Sequence, residues 1–208
     1  MEKNETITKE QLVKEIIDYE WTEFDQVKNE GGRASCQDDF HTFSIMRKSQ
    51  YLTWTEDMLK EYLWHIDNSL KNGRNLITEK YGRMMESTAP EEYDKIKASF
   101  PVLSEKRKGI MEAIIKIQVE WMEEFAKEFP KMAGNARAIH TYEDTAFSTS
   151  YETYLRGELG TYSDELLSLY GRFIVDLSTD NKNLAYMTMD YTAKLYGYQN
   201  VEDAERRL

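Results

Sequence analysis

One cysteine, Cys36, in 208 residues excludes an internal disulfide framework and points to a reducing compartment. Only 3 prolines and 10 glycines interrupt the chain, so long helices are permitted. Basic clusters are missing. Lys and Arg number 27 against 38 Asp and Glu, for a net charge of -11, and cations alternate with acids, as in Glu105-Lys106-Arg107-Lys108. A phosphate backbone is gripped by clustered Lys and Arg, so nucleic acid is not expected as a partner. No apolar run approaches the roughly 20 residues of a membrane helix. The opening MEKNETITKEQ has no apolar signal-peptide core, so a cytoplasmic protein is expected. Also missing are a Gly-x-x-x-x-Gly-Lys phosphate loop, a Gly-x-Ser-x-Gly elbow and a paired Cys-x-x-Cys. These absences leave the reaction, if any, and the cofactor unknown.

What is present is helical patterning. Apolar residues make up 40% of the chain, enough for a core, and a mean hydropathy of -0.71 suits a soluble domain. Thr8 and Gln11 match a capping box that opens a helix over about 8–28, with Leu12, Val13, Ile16, Ile17, Tyr19, Trp21, Phe24 and Val27 at helical spacing. Further helices are expected over 43–52, 56–71 (capped by Thr55, stopped by Asn72-Gly73), 75–86 and from Pro90 to before Phe100. Ser104 caps the longest, to about Phe129, with a stripe of Ile110, Ile114, Ile117, Trp121 and Phe125. Helices then follow near 151, over 163–178, over 183–196 and over 201–207. No alternating strand pattern of useful length is seen. Trp21, Trp54, Trp64 and Trp121 are expected mainly in the core, and Met84, Met85, Met187 and Met189 in packing.

The two halves repeat in order. Ile17-x-x-Glu20-Trp21 matches Ile117-x-x-Glu120-Trp121, Gly32-Arg33-Ala34 resembles Ala136-Arg137-Ala138, Asp38-Asp39 aligns with Glu143-Asp144, and Thr53-Trp54-Thr55-Glu56 pairs with Thr161-Tyr162-Ser163-Asp164. Tyr62 pairs with Tyr170 and Asn75-Leu76 with Asn183-Leu184. The expected architecture is all-α, a single domain of two helical repeats, about 9–98 and 104–208, packed about a pseudo-two-fold axis. Trp21 and Trp121 would meet at the junction of the halves.

Candidate chemistry gathers in two polar loops, 31–50 and 134–156. Glu20 shares a helical face with Val13, Ile17, Phe24 and Val27. A carboxylate there must be paired, protonated or bound to a ligand. Its partner could be the arginine of its own loop, Arg33, with Arg137 serving Glu120; otherwise it is a base or ligand-binding group. Cys36 could be a nucleophile with His41, or a small apolar group. Asp38, Asp39 and His41 are close in sequence but too local to argue for a metal. Glu61 and His65 stand at i, i+4, and Leu169 and Phe173 hold the matching places in the second half, so no metal centre is expected. Arg47 and Arg156 could grip an anion bidentately, or form internal pairs with Asp38, Asp39, Asp144 or Glu152. The ligand-binding candidates are therefore Glu20, Arg33, Cys36, Asp38, Asp39, Arg47, Arg137 and Arg156. They suit a small-molecule or peptide-binding protein, with or without catalysis, or a helical module that docks a protein partner. The oligomeric state cannot be read from the sequence.

The strings GGRASCQDD, IMRKSQYLTW, NLITEKYGRMMESTAPEEY, IQVEWMEEFA and SYETYLRGELGTYS together resemble the bacterial family called domain of unknown function 4125. The resemblance runs from about Ile16 to Tyr198. It implies a bacterial, cytoplasmic, helical protein and carries no activity or site residues with it.

Overall fold

A computed structural model describes residues 7–28 and 32–208. The first residue of the polar loop expected over 31–50 falls outside these residues. The fold is all-α. Among the described residues there is no strand, only one isolated antiparallel bridge between Thr145 and Ser148.

Helix α1 (Lys9–Asp25) starts as its sequence dictates: Thr8 accepts from the Gln11 backbone while the Gln11 side chain accepts from Thr8. It ends at Asp25, short of the expected Lys28. The side-chain amide of Gln37 donates to the carbonyls of Phe24 and Val27 at 2.8 and 3.0 Å, closing the helix end from a buried position. A short 3-10 turn, Ser35–Asp38, follows. Helix α2 (Phe40–Thr53) then begins three residues earlier than the apolar pattern suggests, because the Asp39 carboxylate caps it through the Thr42 N–H at 3.0 Å.

Helices α3 (Glu56–Lys71), α4 (Leu76–Thr88), α5 (Pro90–Ile96) and α6 (Glu105–Glu128) follow, capped by Thr55, Asn75 and Ser104 and, at α5, led by Pro90. Pro130 stops α6 and opens a short α7 (Pro130–Gly134) inside the second polar loop. Helices α8 (Tyr151–Thr161), α9 (Asp164–Thr179), α10 (Leu184–Leu195) and α11 (Val201–Arg207) complete the chain.

Packing follows a recurring pattern. Helix α1 lies against α2, α3 and α4, and α6 lies against α8, α9 and α10. Across the halves α2 packs on α10, α4 on α8 and α3 on α9, and residues of both halves share one apolar cluster. Turns repeat as well. Gly73 and Asn181 both take a left-handed conformation after α3 and α9. The side chains of Asn75 and Asn183 then reach back to the carbonyls of Glu23 and Trp121 at 3.1 and 3.0 Å.

That geometry shifts the register expected between α1 and α6. The buried residues of α1 are Leu12, Val13, Ile16, Ile17, Glu20, Glu23 and Phe24; those of α6 are Met111, Ile114, Ile115, Gln118, Trp121, Met122 and Phe125. Gln118, not Glu120, occupies the place of Glu20. Tyr62 donates to Glu20 at 2.8 Å, and Tyr170 donates to Gln118 at 3.0 Å, while Glu120 is exposed.

The tryptophans divide. Trp54 and Trp121 are buried, as expected. Trp21 is only half-buried, in a side cluster with Phe24, Phe40 and Phe43 rather than beside Trp121. Trp64 is 58% exposed, because it falls off the α3 stripe of Met58, Leu59, Tyr62, His65 and Ile66. Ile110, expected on the α6 stripe, is also largely exposed.

Candidate functional site

The eight candidate residues separate into three places. Glu20 and Arg47 lie in the core. Helix α1 turns Glu20 inward on its apolar face, and α2 turns Arg47 to meet it. Arg47 donates from Nε to Glu20 Oε2 at 2.7 Å and from Nη2 to Oε1 at 2.5 Å. Its Nη1 donates to Glu158 of α8 at 3.1 Å and to Gln50 at 2.9 Å. Gln50 donates in turn to Glu158 at 2.7 Å. Tyr51 and Tyr62 donate to Glu20 at 2.6 and 2.8 Å, Tyr162 donates to Glu158 at 3.1 Å, and Arg47 also meets the Tyr51 hydroxyl. Lys80 of α4 pairs with Glu158 at 3.5 Å and donates to Tyr154 at 2.8 Å.

Two carboxylates thus face two cations, and the set is neutral. Burial pushes the Glu158 carboxyl up, but Arg47 and Lys80 outweigh it and hold the pKa at about 2. Burial likewise pulls the Arg47 guanidinium down, and Glu158 and Glu20 more than restore it. The phenols of Tyr51, Tyr62 and Tyr162 are pushed well above their ordinary range by burial. Glu20, Arg47 and Glu158 are each bonded to several of the chain's own side chains. The network joins α1, α2, α3, α4 and α8, and the partner of Glu20 is Arg47, not Arg33.

The first loop holds the second group. Arg33 pairs with Asp25 at 2.6 Å and Asp38 at 2.8 Å and donates to the Gln37 carbonyl, all near the surface. Asp39 is spent as the α2 cap. Cys36 is exposed, and no hydrogen bond joins it to His41 among the described residues. Gly32, at φ 86°, supplies a left-handed turn. Arg33 and Asp38 therefore share no pocket with Glu20 and Arg47.

The third group lies in the second loop, which is heavily bonded. Asp144 accepts from Ser87 of the first half at 2.5 Å, from the Ser150 N–H at 2.6 Å and from Thr153 at 2.6 Å. Burial alone would raise its pKa, but these bonds bring it below the ordinary value. Arg156 is consumed by Glu112, at 2.7 and 3.0 Å, and by Glu152 at 2.8 Å. Arg137 differs from every other arginine of the chain. Among the described residues each of the others is paired with a carboxylate, and Arg137 with none. Its guanidinium sits 4.8 Å from the Tyr154 ring and donates to the Thr149 carbonyl at 3.2 Å.

Arg137 lines an open groove of about 390 Å³ between α6 and the loop, with Met122, Ala126, His140, Tyr142 and one carboxylate, Glu143, which accepts from the His140 backbone N–H at 2.9 Å. A larger groove of about 630 Å³ runs between α6 and α9, walled by Ile110, Leu167, Gly171 and Val175. Among the described residues no group of three or more His, Cys, Asp and Glu converges to hold a metal, and no helix is long and apolar enough to cross a membrane.

The sequence pattern missed Gln50, Tyr154 and Glu158. A signal existed for the last: Glu158 stands in Gly157-Glu158-Leu159-Gly160, a glutamate inside a run of small and apolar residues.

Comparisons with curated proteins and with solved structures returned no match. The sequence model of one family, described as a protein of unknown function (DUF4125), matches residues 10–206. With nearly its whole length covered by that model, the chain belongs to the DUF4125 family.

Proposed function

We propose that the chain is a ligand-binding protein that takes a small anionic molecule, or the carboxylate of a peptide, in the groove under the second loop. The observation that carries this is the state of Arg137: it lacks a carboxylate partner among the described residues and lines an open groove. A guanidinium held by an aromatic face and a backbone carbonyl is pre-oriented for a carboxylate or phosphate. Binding is the assigned role, with no reaction attached.

The test is calorimetric titration of the full chain with acetate, inorganic phosphate and methylammonium. At least one anion should bind saturably and methylammonium should not. Arg137→Gln should weaken the anion by about tenfold or more, the worth of a charge-assisted hydrogen bond, at unchanged melting temperature. Equal binding by the variant, or none by the parent chain, overturns the reading.

A second reading, a helical module that docks a protein partner, is favoured by the α6–α9 groove, where Ile110 and Val175 stay largely exposed. We place the protein in a bacterial cytoplasm on its lone cysteine and its family, with no nucleic-acid partner. We also read the chain as one domain built by internal duplication; the recurring helix contacts and turns support this.

A further inference from the structure

The groove at Arg137 offers more than a cation. Tyr142 lies in it and is 83% exposed. The His140 imidazole stacks on one face of the Tyr142 ring, at 4.9 Å and 11° between planes, so the open face is the other one. His140 is itself held, 3.1 Å from Glu123 of α6, and its backbone N–H donates to Glu143 at 2.9 Å. Thr141, between the two in sequence, donates from its backbone to Glu152 at 2.8 Å, and its hydroxyl lies 2.9 Å from that of Thr153. An aromatic ring is thus kept in water by a loop that is fixed on several sides. Such a platform loses little entropy when a flat group stacks on it.

The rest of the groove is cut from small residues. Ala126, Ala133, Gly134, Ala136 and Ala138 line it, leaving backbone and methyl groups as walls. A slot of that kind admits a flat ring; its recognition groups are the open Tyr142 face and Arg137, with Glu143 turned to the His140 backbone N–H.

We infer that the ligand is a planar aromatic or heteroaromatic molecule bearing one anionic group, its ring stacked on Tyr142 and its anion on Arg137. This rests on the anion-binding role proposed for Arg137 and narrows it to a chemical class. Arg137, which has no carboxylate partner among the described residues, decides the anion, since Glu143 is already engaged by the His140 backbone N–H, and the His140–Tyr142 stack decides the ring. A volume of about 390 Å³ suits one or two fused rings rather than a folded segment.

Two probes separate the two claims. 2-Naphthoate and decahydro-2-naphthoate carry the same carboxylate on a similar carbon frame, and only the first is flat and aromatic. Each is titrated into the full chain, into Tyr142→Ala and into Arg137→Gln. The aromatic acid should bind the parent chain at least about fivefold more tightly, the low end for stacking on one aromatic side chain. Tyr142→Ala should erase that preference at unchanged melting temperature, because the residue is exposed. Arg137→Gln should weaken both acids alike. Equal binding of the two acids overturns the planar-ligand inference and leaves the anion role standing. A preference that survives Tyr142→Ala also overturns it. No binding of either acid to the parent chain overturns the inference, and the acetate and phosphate titrations then decide the anion role separately.

Discussion

Arg47 holds Glu20 by two nitrogens, at 2.7 and 2.5 Å, and with a third it reaches Glu158, 111 residues further along the chain. One guanidinium therefore ties together α1, α2 and α8 inside the core. A buried pair of this kind costs much to desolvate, and removing one member leaves the other bare.

Arg47→Ala should destabilise the protein by roughly 3–5 kcal/mol, and Glu20→Ala by a similar amount. The double variant should cost far less than their sum, since neither leaves a lone charge on that side. Urea denaturation of the four proteins checks this. A loss under about 1 kcal/mol for either single variant would contradict the network's role.

Acid should attack the same network. The Glu158 pKa falls from 4.5 to about 2 on folding. A depressed carboxyl pKa adds stability that is fully present above the unfolded value and is lost as pH falls through the folded one. The shift corresponds to about 3 kcal/mol, fading between about pH 4.5 and 2. Glu23 acts in the opposite sense. Burial raises its pKa, and one of its oxygens has no partner among the described residues, so its ionisation opposes folding. Glu158→Gln should flatten the acid limb of stability against pH, and Glu23→Gln should raise stability at pH 7 by about 1 kcal/mol or less.

Caps and stops were legible because they are local. Thr8 with Gln11, Thr55, Ser104, Ser163 and Gly73 act as read, since each needs only the next few residues. Glu20 was legible as a carboxylate on an apolar face, but its partner was not. Arg47 is 27 residues away, and nothing local chooses it over Arg33. Lys80 and Glu158 come from helices that meet only in three dimensions. The slip between Glu120 and Gln118 has a similar origin: the Glu-Trp pair matches by letters, while burial follows the face that α6 turns to Tyr170. Arg137 and Arg33 look alike in sequence, and the difference between them is the acids that fold toward one and not the other.

Glycines on α8 and α9 should answer oppositely to alanine. A Cβ on Gly157 would lie 2.9 Å from the Lys80 carbonyl oxygen, where α4 and α8 approach closely. Gly157→Ala should therefore cost roughly 1–3 kcal/mol. At Gly171 the nearest atom is Ile114 Cδ1 at 3.5 Å, an ordinary contact beside the larger groove. Gly171→Ala should stabilise by roughly 0.5–1 kcal/mol through helix propensity. Thermal melts of both variants test the pair.

Trp121→Ala should cost roughly 3–5 kcal/mol, as for a large buried side chain. Trp21→Ala should cost clearly less, because Trp21 is half-buried in the side cluster. Equal losses would show that the two occupy equivalent places after all.

The anion-binding account is tested most directly by following all arginine Nε–Hε signals by NMR while 2-naphthoate is added to the full chain. The Arg137 signal should move saturably, and those of Arg33, Arg47 and Arg156, already held by carboxylates, should stay in place. A still Arg137 signal, with saturable movement at Arg33 or Arg156 instead, would contradict it.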